Sequence, residues 1–114
     1  MEIRFKRFKR TDEFKAWLLA LDNSVRTTLG THLEKYETDG VLPNTATMLT
    51  GCDGIGEIRF KFGPGYRIYF YRYGDVVLLL LNGGYKDTQT GDTETAQAIM
   101  YREIEKARLF REKK

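Results

Sequence analysis

Residues 57–86 read EIRFKFGPGYRIYFYRYGDVVLLLLNGGYK, and their apolar and polar side chains alternate between turn residues. The alternation runs through residues 57–62, turns at Gly63-Pro64-Gly65 and returns through residues 66–72. A second turn at Gly74-Asp75 leads into an apolar run over residues 76–81. Alternation with a period of two, bounded by Gly and Pro, is typical of antiparallel strands joined by hairpins. We therefore predict three consecutive strands.

A three-residue first turn sets the register of the first hairpin. Phe62 then faces Tyr66, and Lys61 lies directly opposite Arg67. Like charges placed opposite each other destabilise a sheet by roughly 0.2–1 kcal/mol. Such a pair favours an anion held between the two side chains. Basic residues are also ordinary on the wet face of a hairpin, where they protect sheet edges, so an anion site and a solvated face both stay open.

The same register gives the sheet an apolar face and a basic face. Arg59 falls opposite Tyr69 and Glu57 opposite Tyr71. With a two-residue turn at Gly74-Asp75, Arg67 faces Asn82, and Lys86 shares its side of the sheet. The basic face is then predicted to hold Glu57, Arg59, Lys61, Arg67, Tyr69, Tyr71, Leu80, Asn82 and Lys86.

Length and composition set the class of protein. The 114 residues fit a single domain, 1–114, with 41% hydrophobic and 31% charged side chains. No apolar run reaches the length of a membrane span, and no apolar signal segment follows residues 1–4, so a cytoplasmic location without membrane association is expected. One cysteine, Cys52, fits a reducing compartment. With only Cys52 and His32, neither a metal site nor a cofactor is expected.

Basic residues are distributed unevenly along the chain. Residues 1–10 contain five Lys or Arg and one Glu, whereas residues 11–54 contain three basic and seven acidic side chains. Residues 55–86 contain five basic and two acidic side chains, and residues 101–114 six and three. This asymmetry indicates a nucleic acid or an acidic partner, or it serves solubility alone.

The N-terminal half predicts one strand and two helices. Residues 2–8 alternate as a first strand. Thr11 is a helix N-cap, and the helix that follows has an apolar stripe that includes Trp17. A break at Asp22-Asn23-Ser24 starts a second helix that ends at Asp39-Gly40, and Gly30 inside it predicts a close approach of the two helices.

The remaining segments predict a loop and a final helix. Residues 41–56 are rich in Gly, Asp and Pro and are predicted to be loop. Gly83-Gly84 ends the third hairpin strand, where paired glycines allow tight backbone geometry or the close approach of a ligand. A last helix follows caps at residues 90–93, with an inner stripe at Ala96, Met100, Ile104 and Ala107. We predict an α+β fold in the order β-α-α-β-β-β-α: two layers, a largely antiparallel sheet, an N-terminal helical hairpin on one face and a C-terminal helix.

Two motifs in this chain resemble one family. Residues 63–70, GPGYRIYF, and residues 83–89, GGYKDTQ, are similar at this separation to the RelE/ParE/HigB superfamily of toxins, and most of all to its phage-derived addiction module killer proteins. The resemblance implies the toxin of a type II toxin–antitoxin pair. Many such toxins are endoribonucleases that cut mRNA in the ribosomal A site, whereas the ParE-like ones inhibit DNA gyrase without cutting nucleic acid. It also implies a hetero-oligomer with a cognate antitoxin, often of the helix-turn-helix type.

The resemblance further implies which residues form the site. Arg59 and Lys61 occupy the basic-strand positions, Arg67 the second-strand arginine, and Lys86 the basic position after the last strand. Some members carry a Tyr or His further along, where this chain has Thr88-Gln89-Thr90, so Tyr85 is a substitute for the general acid.

Cleavage of RNA by its own 2′-hydroxyl needs a base, a cation for the phosphate and an acid. We expect Lys61 to act as the base, because cations near a lysine favour its neutral form, and Arg67 as the phosphate clamp. Arg59 would position the backbone, and Lys86 or Tyr85 would protonate the leaving group. Tyr69 or Tyr71 would stack on a base. Glu57 is an alternative base, and His32 is expected to be structural or solvated.

Overall fold

The computed structural model describes residues 2–74 and 76–112, and it consists of one sheet with helices on both faces. The elements are β1 (Arg7–Arg10), α1 (Asp12–Leu19), α2 (Asn23–Asp39), β2 (Ala46–Met48), β3 (Ile55–Arg59), β4 (Tyr66–Tyr73), β5 (Val77–Tyr85) and α3 (Gln89–Glu112). A 3₁₀ turn, Lys86–Thr88, joins β5 to α3.

The five strands lie in the order β1-β5-β4-β3-β2. β1 pairs with β5 in parallel, and every other pair is antiparallel. α1 and α2 pack on one face, where Phe14, Leu29 and Leu33 meet Ile68 and Leu80. α3 packs on the opposite face, where a second apolar cluster joins Ala96, Ile99 and Met100 to Tyr69, Leu79 and Leu81. The predicted α+β class is confirmed, but the sheet lies between two helical layers instead of within a two-layer fold, because α3 covers part of the face that carries the basic residues.

Two predicted elements differ from those observed. The segment 41–56, expected to be loop, contains the edge strand β2 and the first two residues of β3. The first strand, expected over residues 2–8, covers Arg7–Arg10, while Arg4 makes only an isolated bridge to Val41. Ile3 and Phe5 are nevertheless buried, as their alternation predicted.

The predicted ends of the first two helices are confirmed, whereas α3 begins at Gln89, before the caps predicted at residues 90–93. The hydroxyl of Thr11 accepts a hydrogen bond from the backbone N–H of Phe14, 3.1 Å away, and caps α1. Asp22 caps α2 by accepting from the N–H of Ser24. Gly40 ends α2 with φ of 70°, the left-handed conformation that glycine adopts without steric cost.

Both hairpin registers differ from prediction. Arg67 lies opposite Arg59 instead of Lys61, because the loop between β3 and β4 spans residues 60–65 and is longer than the three residues predicted. On its other side Arg67 lies opposite Gly84 instead of Asn82. Tyr73 pairs with Val77, so the second turn is longer than two residues, and a bulge between Tyr69 and Phe70 adds Leu81. Asp75, half of the predicted turn, lies outside the described residues.

Three glycines were predicted to allow a close approach of a ligand or of a helix: Gly83, Gly84 and Gly30. The structure gives them different surroundings. A Cβ on Gly83 would lie 2.4 Å from the indole of Trp17, and a Cβ on Gly84 would overlap the carboxylate of Asp92. The tight contacts are therefore made by side chains of this chain. Gly30 has no atom within 4 Å of a Cβ position, so the predicted close approach of α1 and α2 at this residue is wrong.

The outer edge of the sheet is partly covered at β1. The backbone N–H of Phe8 points away from β5 and donates to Oε2 of Glu37 in α2, 2.8 Å away. Among the described residues, no helix is long and apolar enough to cross a membrane.

Candidate functional site: a basic cleft at the end of the sheet

A cleft of about 340 Å³ opens where β3 ends, β4 begins and β5 runs into the 3₁₀ turn. The three strand ends meet here because β4 lies between β3 and β5 and runs antiparallel to both. The lining residues are Thr45, Arg59, Phe60, Lys61, Gly65, Tyr66, Arg67 and Lys86. All four cations that the sequence assigned to the site thus line one cavity.

Short backbone contacts bring the cations together. Arg59 is the last residue of β3 and lies directly opposite Arg67. Lys61 lies in the loop after β3. A hydrogen bond from the N–H of Phe60 to the carbonyl of Tyr66, 2.9 Å away, closes the base of this loop. Lys86 is fixed at the far side because its N–H donates to the carbonyl of Gly65, 3.0 Å away.

Three of the four cations are free to meet a ligand. Arg59, Lys61 and Lys86 are exposed. Within residues 2–74 and 76–112, none of these three side chains forms an ion pair or a hydrogen bond. Concentrated unpaired positive charge in a concave site attracts anions, and groups of this type bind phosphate.

Arg67 is held from behind by a buried carboxylate. Its Nη1 donates to Oε1 of Glu57 at 2.9 Å and to Oε2 at 2.5 Å. Gln89, the first residue of α3, donates from Nε2 to the same Oε1 at 2.7 Å. The Glu57 side chain is 3% exposed and that of Arg67 12%. Arg67 is therefore a fixed group, whereas the sequence had suggested a free clamp.

Three other predicted site residues do not line the cleft. Glu57 is buried beneath Arg67, so it can serve neither as a base nor as a contact to RNA. Tyr69 is 0% exposed under α3, and Tyr71 is half-buried against the same apolar cluster. We therefore withdraw both tyrosines as stacking platforms. They are covered because α3 lies on this face, which alternation along the strands could not reveal.

The buried hydroxyl of Tyr69 illustrates how dry this region is. Burial, with smaller contributions from the negative charges of Glu57 and Asp92, raises the pKa of Tyr69 to about 12. Thr93 lies close enough to offset part of that rise. Its own hydroxyl donates to the carbonyl of Gln89, and Tyr69 makes no hydrogen bond of normal geometry in the described part of the chain. Tyr69 is thus a neutral core residue.

Tyr85 lies at the rim of the site and not in its lining. Its ring packs against Tyr66, with centroids 5.5 Å apart, and the residue is 38% exposed. Lys86 enters the cleft directly. Between the two candidates for the general acid, the geometry favours Lys86.

Sequence reasoning missed Thr45, which lines the cleft from the segment before β2. Its carbonyl accepts from the N–H of Arg59 at 3.3 Å, which places it beside the basic strand. No signal in the sequence pointed to Thr45, because the strand that follows it was not predicted.

His32 belongs to an aromatic cluster that adjoins the cleft through Phe60. Its ring stacks on Phe62 at 6.4 Å and lies 5.7 Å from Phe60. His32 does not line the cleft, in agreement with its predicted structural role. Across the part of the chain that the structure describes, no three His, Cys, Asp or Glu side chains are grouped so that they could hold a metal ion.

Comparisons with known proteins give a consistent picture. The family model for "Phage derived protein Gp49-like" matches residues 16–109. An uncharacterized protein of Haemophilus influenzae is 30% identical over 92 residues, which cover 80% of this chain and 89% of that protein. The free-state structure of a double arginine-to-alanine mutant of the E. coli toxin RelE superposes with a TM-score of 0.60 at 15% identity, over 84% of this chain and 95% of that one.

Proposed function

Since the chain belongs to the phage-derived Gp49-like family, a RelE-like toxin family, we propose that it is the toxin of a toxin–antitoxin pair and acts as an endoribonuclease on mRNA. The observation that carries this proposal is the cleft itself. Three exposed cations, unpaired among the described residues, and one fixed arginine surround a cavity large enough for a phosphate and its flanking sugar. RNA is the substrate whose own 2′-hydroxyl supplies the nucleophile, so the protein needs no metal or cofactor for the reaction.

The proposed reaction is a transesterification within the RNA strand. The 2′-oxygen attacks the adjacent phosphorus, and the bond from phosphorus to the 5′-oxygen breaks. The products are a 2′,3′-cyclic phosphate and a 5′-hydroxyl. The 2′-hydroxyl proton passes to a base in the cleft, and the leaving 5′-oxygen takes a proton from an acid. The base then releases its proton to water and the acid regains one from water, so the protein returns to its starting state.

We assign the roles from position in the cleft. Lys61, exposed on the loop after β3, accepts the 2′-hydroxyl proton, and Lys86, on the opposite side, protonates the leaving oxygen. Arg67 donates to the phosphate oxygens, whose negative charge increases in the transition state. Arg59 positions the neighbouring backbone phosphate.

Positioning of the message is the other requirement of the reaction. The cleft is an open groove on a small protein and offers few surfaces to hold a flexible strand. A ribosome that presents the message in a fixed conformation would supply this positioning, and orientation of reacting groups is among the largest contributions to rate. We therefore place the activity on the ribosome.

The toxin assignment also implies a protein partner. We propose a small antitoxin, of the helix-turn-helix type, that covers the cleft with acidic side chains. Complementary charge gives such a partner a fast association rate and selectivity.

The decisive experiment substitutes an exposed cation, because Arg67→Ala is ambiguous. Removing Arg67 leaves Glu57 charged and buried, which costs about 3–5 kcal/mol and can unfold the protein. Lys61→Met removes the proposed base at an exposed position. We expect message cleavage, measured by primer extension on a reporter after induction, to fall by about 10²-fold or more.

Lys15→Met is the matched control, because Lys15 is an exposed lysine on α1 outside the cleft. It changes the net charge equally and should leave cleavage unchanged. Intact messages together with a DNA damage response in the wild type would contradict the proposal and favour the gyrase-inhibiting alternative. A Lys61→Met protein that cleaves as fast as wild type would contradict the assigned base.

A further inference from the structure

We propose that Glu57 and Gln89 are positioning residues that hold the guanidinium of Arg67 at a fixed angle, so that its unused N–H groups face the phosphate. This inference rests on the proposed function and adds to it two residues that never touch the substrate. The inference concerns the fixed conformation of the Arg67 side chain, whereas the positive charge of the cleft comes mainly from Arg59, Lys61 and Lys86.

The contacts of Arg67 leave most of its donors free. A guanidinium has five N–H donors, and within residues 2–74 and 76–112 the hydrogen bonds of Arg67 all use Nη1. Nη1 is bound to both oxygens of Glu57, so Nε and Nη2 remain for a ligand in the cleft. Because Oε1 of Glu57 also accepts from Gln89, the carboxylate is itself fixed by α3.

The two residues directly opposite Arg67 on the adjacent strands do not orient its side chain. Directly opposite Arg67 on β3 is Arg59, which repels it, and directly opposite on β5 is Gly84, which has no side chain. Glu57 lies two residues before Arg59 on the same face of β3. The orientation of Arg67 therefore depends on the diagonal contact with Glu57.

Burial separates this pair from an ordinary surface ion pair. The Glu57 side chain is 3% exposed and Arg67 12%, whereas the pair Arg4–Glu2 exposes 71% and 66%. Burying two charges loses hydration that their attraction seldom returns in full, so such pairs are poor sources of stability. A fixed geometry at the cleft explains why this chain keeps one here.

Positioning and simple neutralisation predict different effects for Glu57→Gln, which keeps the shape and removes the charge. If Glu57 only neutralises Arg67, its loss makes the cleft more positive and RNA binding tighter, with cleavage unchanged or faster. If Glu57 positions Arg67, RNA binding is kept or tightened, but cleavage slows because the guanidinium no longer meets the transition state correctly.

The experiment compares Glu57→Gln with wild type on ribosomes programmed with a short message. Affinity is measured with a message carrying 2′-O-methyl at the cleavage position, and single-turnover cleavage with the unmodified message. We expect affinity equal to wild type or up to about 10-fold tighter and a cleavage rate about 10- to 100-fold lower. A rate within twofold of wild type overturns the proposal, and so does a parallel loss of affinity, rate and melting temperature.

Gln89→Ala is the second variant and carries the test if Glu57→Gln does not fold. It removes one hydrogen bond to Glu57 without changing any charge. We expect unchanged affinity and a cleavage rate about 3- to 10-fold lower. Unchanged affinity with an unchanged rate overturns the role of Gln89.

A readout that does not depend on cleavage separates failure of this inference from failure of the proposed function. In wild-type protein the ¹⁵Nε–H signal of Arg67 should report an ordered side chain and should shift on titration with inorganic phosphate. In Glu57→Gln its heteronuclear NOE should fall to the value of exposed Arg59. An equally ordered Arg67 in both proteins refutes the positioning role, whether or not the wild type cleaves RNA.

Discussion

At the scale of single residues, β5 packs closely against α1 where Gly83 meets Trp17. The absence of a side chain at Gly83 lets the indole lie against the strand, where a Cβ would be 2.4 Å from the ring. We predict that Gly83→Ala destabilises the protein by about 1–3 kcal/mol, because the indole is rigid and must move. Urea unfolding at constant protein concentration measures this change in free energy.

Gly30→Ala is the control for the Gly83 variant. Gly30 lies inside α2 with nothing within 4 Å of its Cβ position, so Ala should raise the free energy of unfolding by about 0.5–1 kcal/mol. The double variant Gly83→Ala, Trp17→Leu should lose less free energy of unfolding than the sum of the two single variants, because leucine is small enough to leave room for the new methyl group. Strict additivity would show that the indole is not what the new methyl group meets.

The positions of the cations in the cleft were easier to predict from the sequence than the burial and contacts of each side chain. Arg59, Lys61, Arg67 and Lys86 share a cleft, as their positions in the sequence suggested. The burial of Glu57 was not foreseeable, because its position in an alternating strand is equally compatible with exposure. Only the packing of α3 over the basic face turns that carboxylate into a buried partner of Arg67.

At the scale of elements, the side of the sheet on which Lys86 lies was predicted because two errors compensated. The turn after β4 is one residue longer than expected, and the bulge at Leu81 adds one more residue to β5. Each irregularity alone would move Lys86 to the other face of the sheet, since strand side chains alternate. Together they restore the side that the simple pairing gave. Bulges have no reliable signal in a single sequence. Leu80, which lies between the turn and the bulge, was therefore predicted on the wrong face: it packs with Ile68 under α1 and α2 instead of lying on the basic face.

Also at the element scale, Thr11 joins the start of α1 to β5. Its hydroxyl donates to the carbonyl of Leu81 at 2.6 Å and accepts from the N–H of Phe14, and the residue is 3% exposed. Thr11→Val keeps the shape but removes both bonds, so we predict a loss of about 1–2 kcal/mol in the free energy of unfolding. Thr11→Ser keeps the hydroxyl and should retain most of that stability, and equal losses in the two variants would contradict the capping role. Chemical denaturation of both variants measures the difference.

At the scale of the whole molecule, an ion pair connects the two helical layers around the sheet. Arg102 of α3 donates to both carboxylate oxygens of Glu13 in α1. The Arg102 hydrogen bond lowers the pKa of Glu13 to about 2, from 4.5. A carboxyl with a lowered folded-state pKa stabilises the fold fully above its unfolded-state pKa and loses that contribution as the pH falls through the folded-state value.

This sign gives a prediction for acid unfolding. Wild-type protein should lose stability between pH 4.5 and pH 2 more steeply than Glu13→Gln. Both side chains of the ion pair are at least a third exposed. The difference in free energy of unfolding between wild type and Glu13→Gln at pH 7 should therefore be at most about 0.2–1 kcal/mol. Urea unfolding of both proteins at pH 7 and at a pH of about 2.5 measures this difference. A difference that grows toward low pH would contradict the pairing of Glu13 with Arg102.

Along the chain, acidic and basic residues are partly separated, as composition indicated. The segment from Thr11 to Gly54, which includes α1 and α2, holds seven of the sixteen acidic residues, while the cleft belongs to strands and loops rich in Lys and Arg. The sequence showed this separation directly. It could not show that the cations converge, because convergence depends on β4 lying between β3 and β5.

The contact between Glu37 and the backbone of Phe8 has a consequence for the protein in concentrated solution. A strand at the rim of a sheet offers its free amides to any other molecule that presents an extended segment, and fibrils begin from such encounters. The helix carboxylate occupies one of these amides on β1. A chain with Ala at this position should fold alike yet self-associate more readily on storage, since this amide of the strand would lose the carboxylate that covers it.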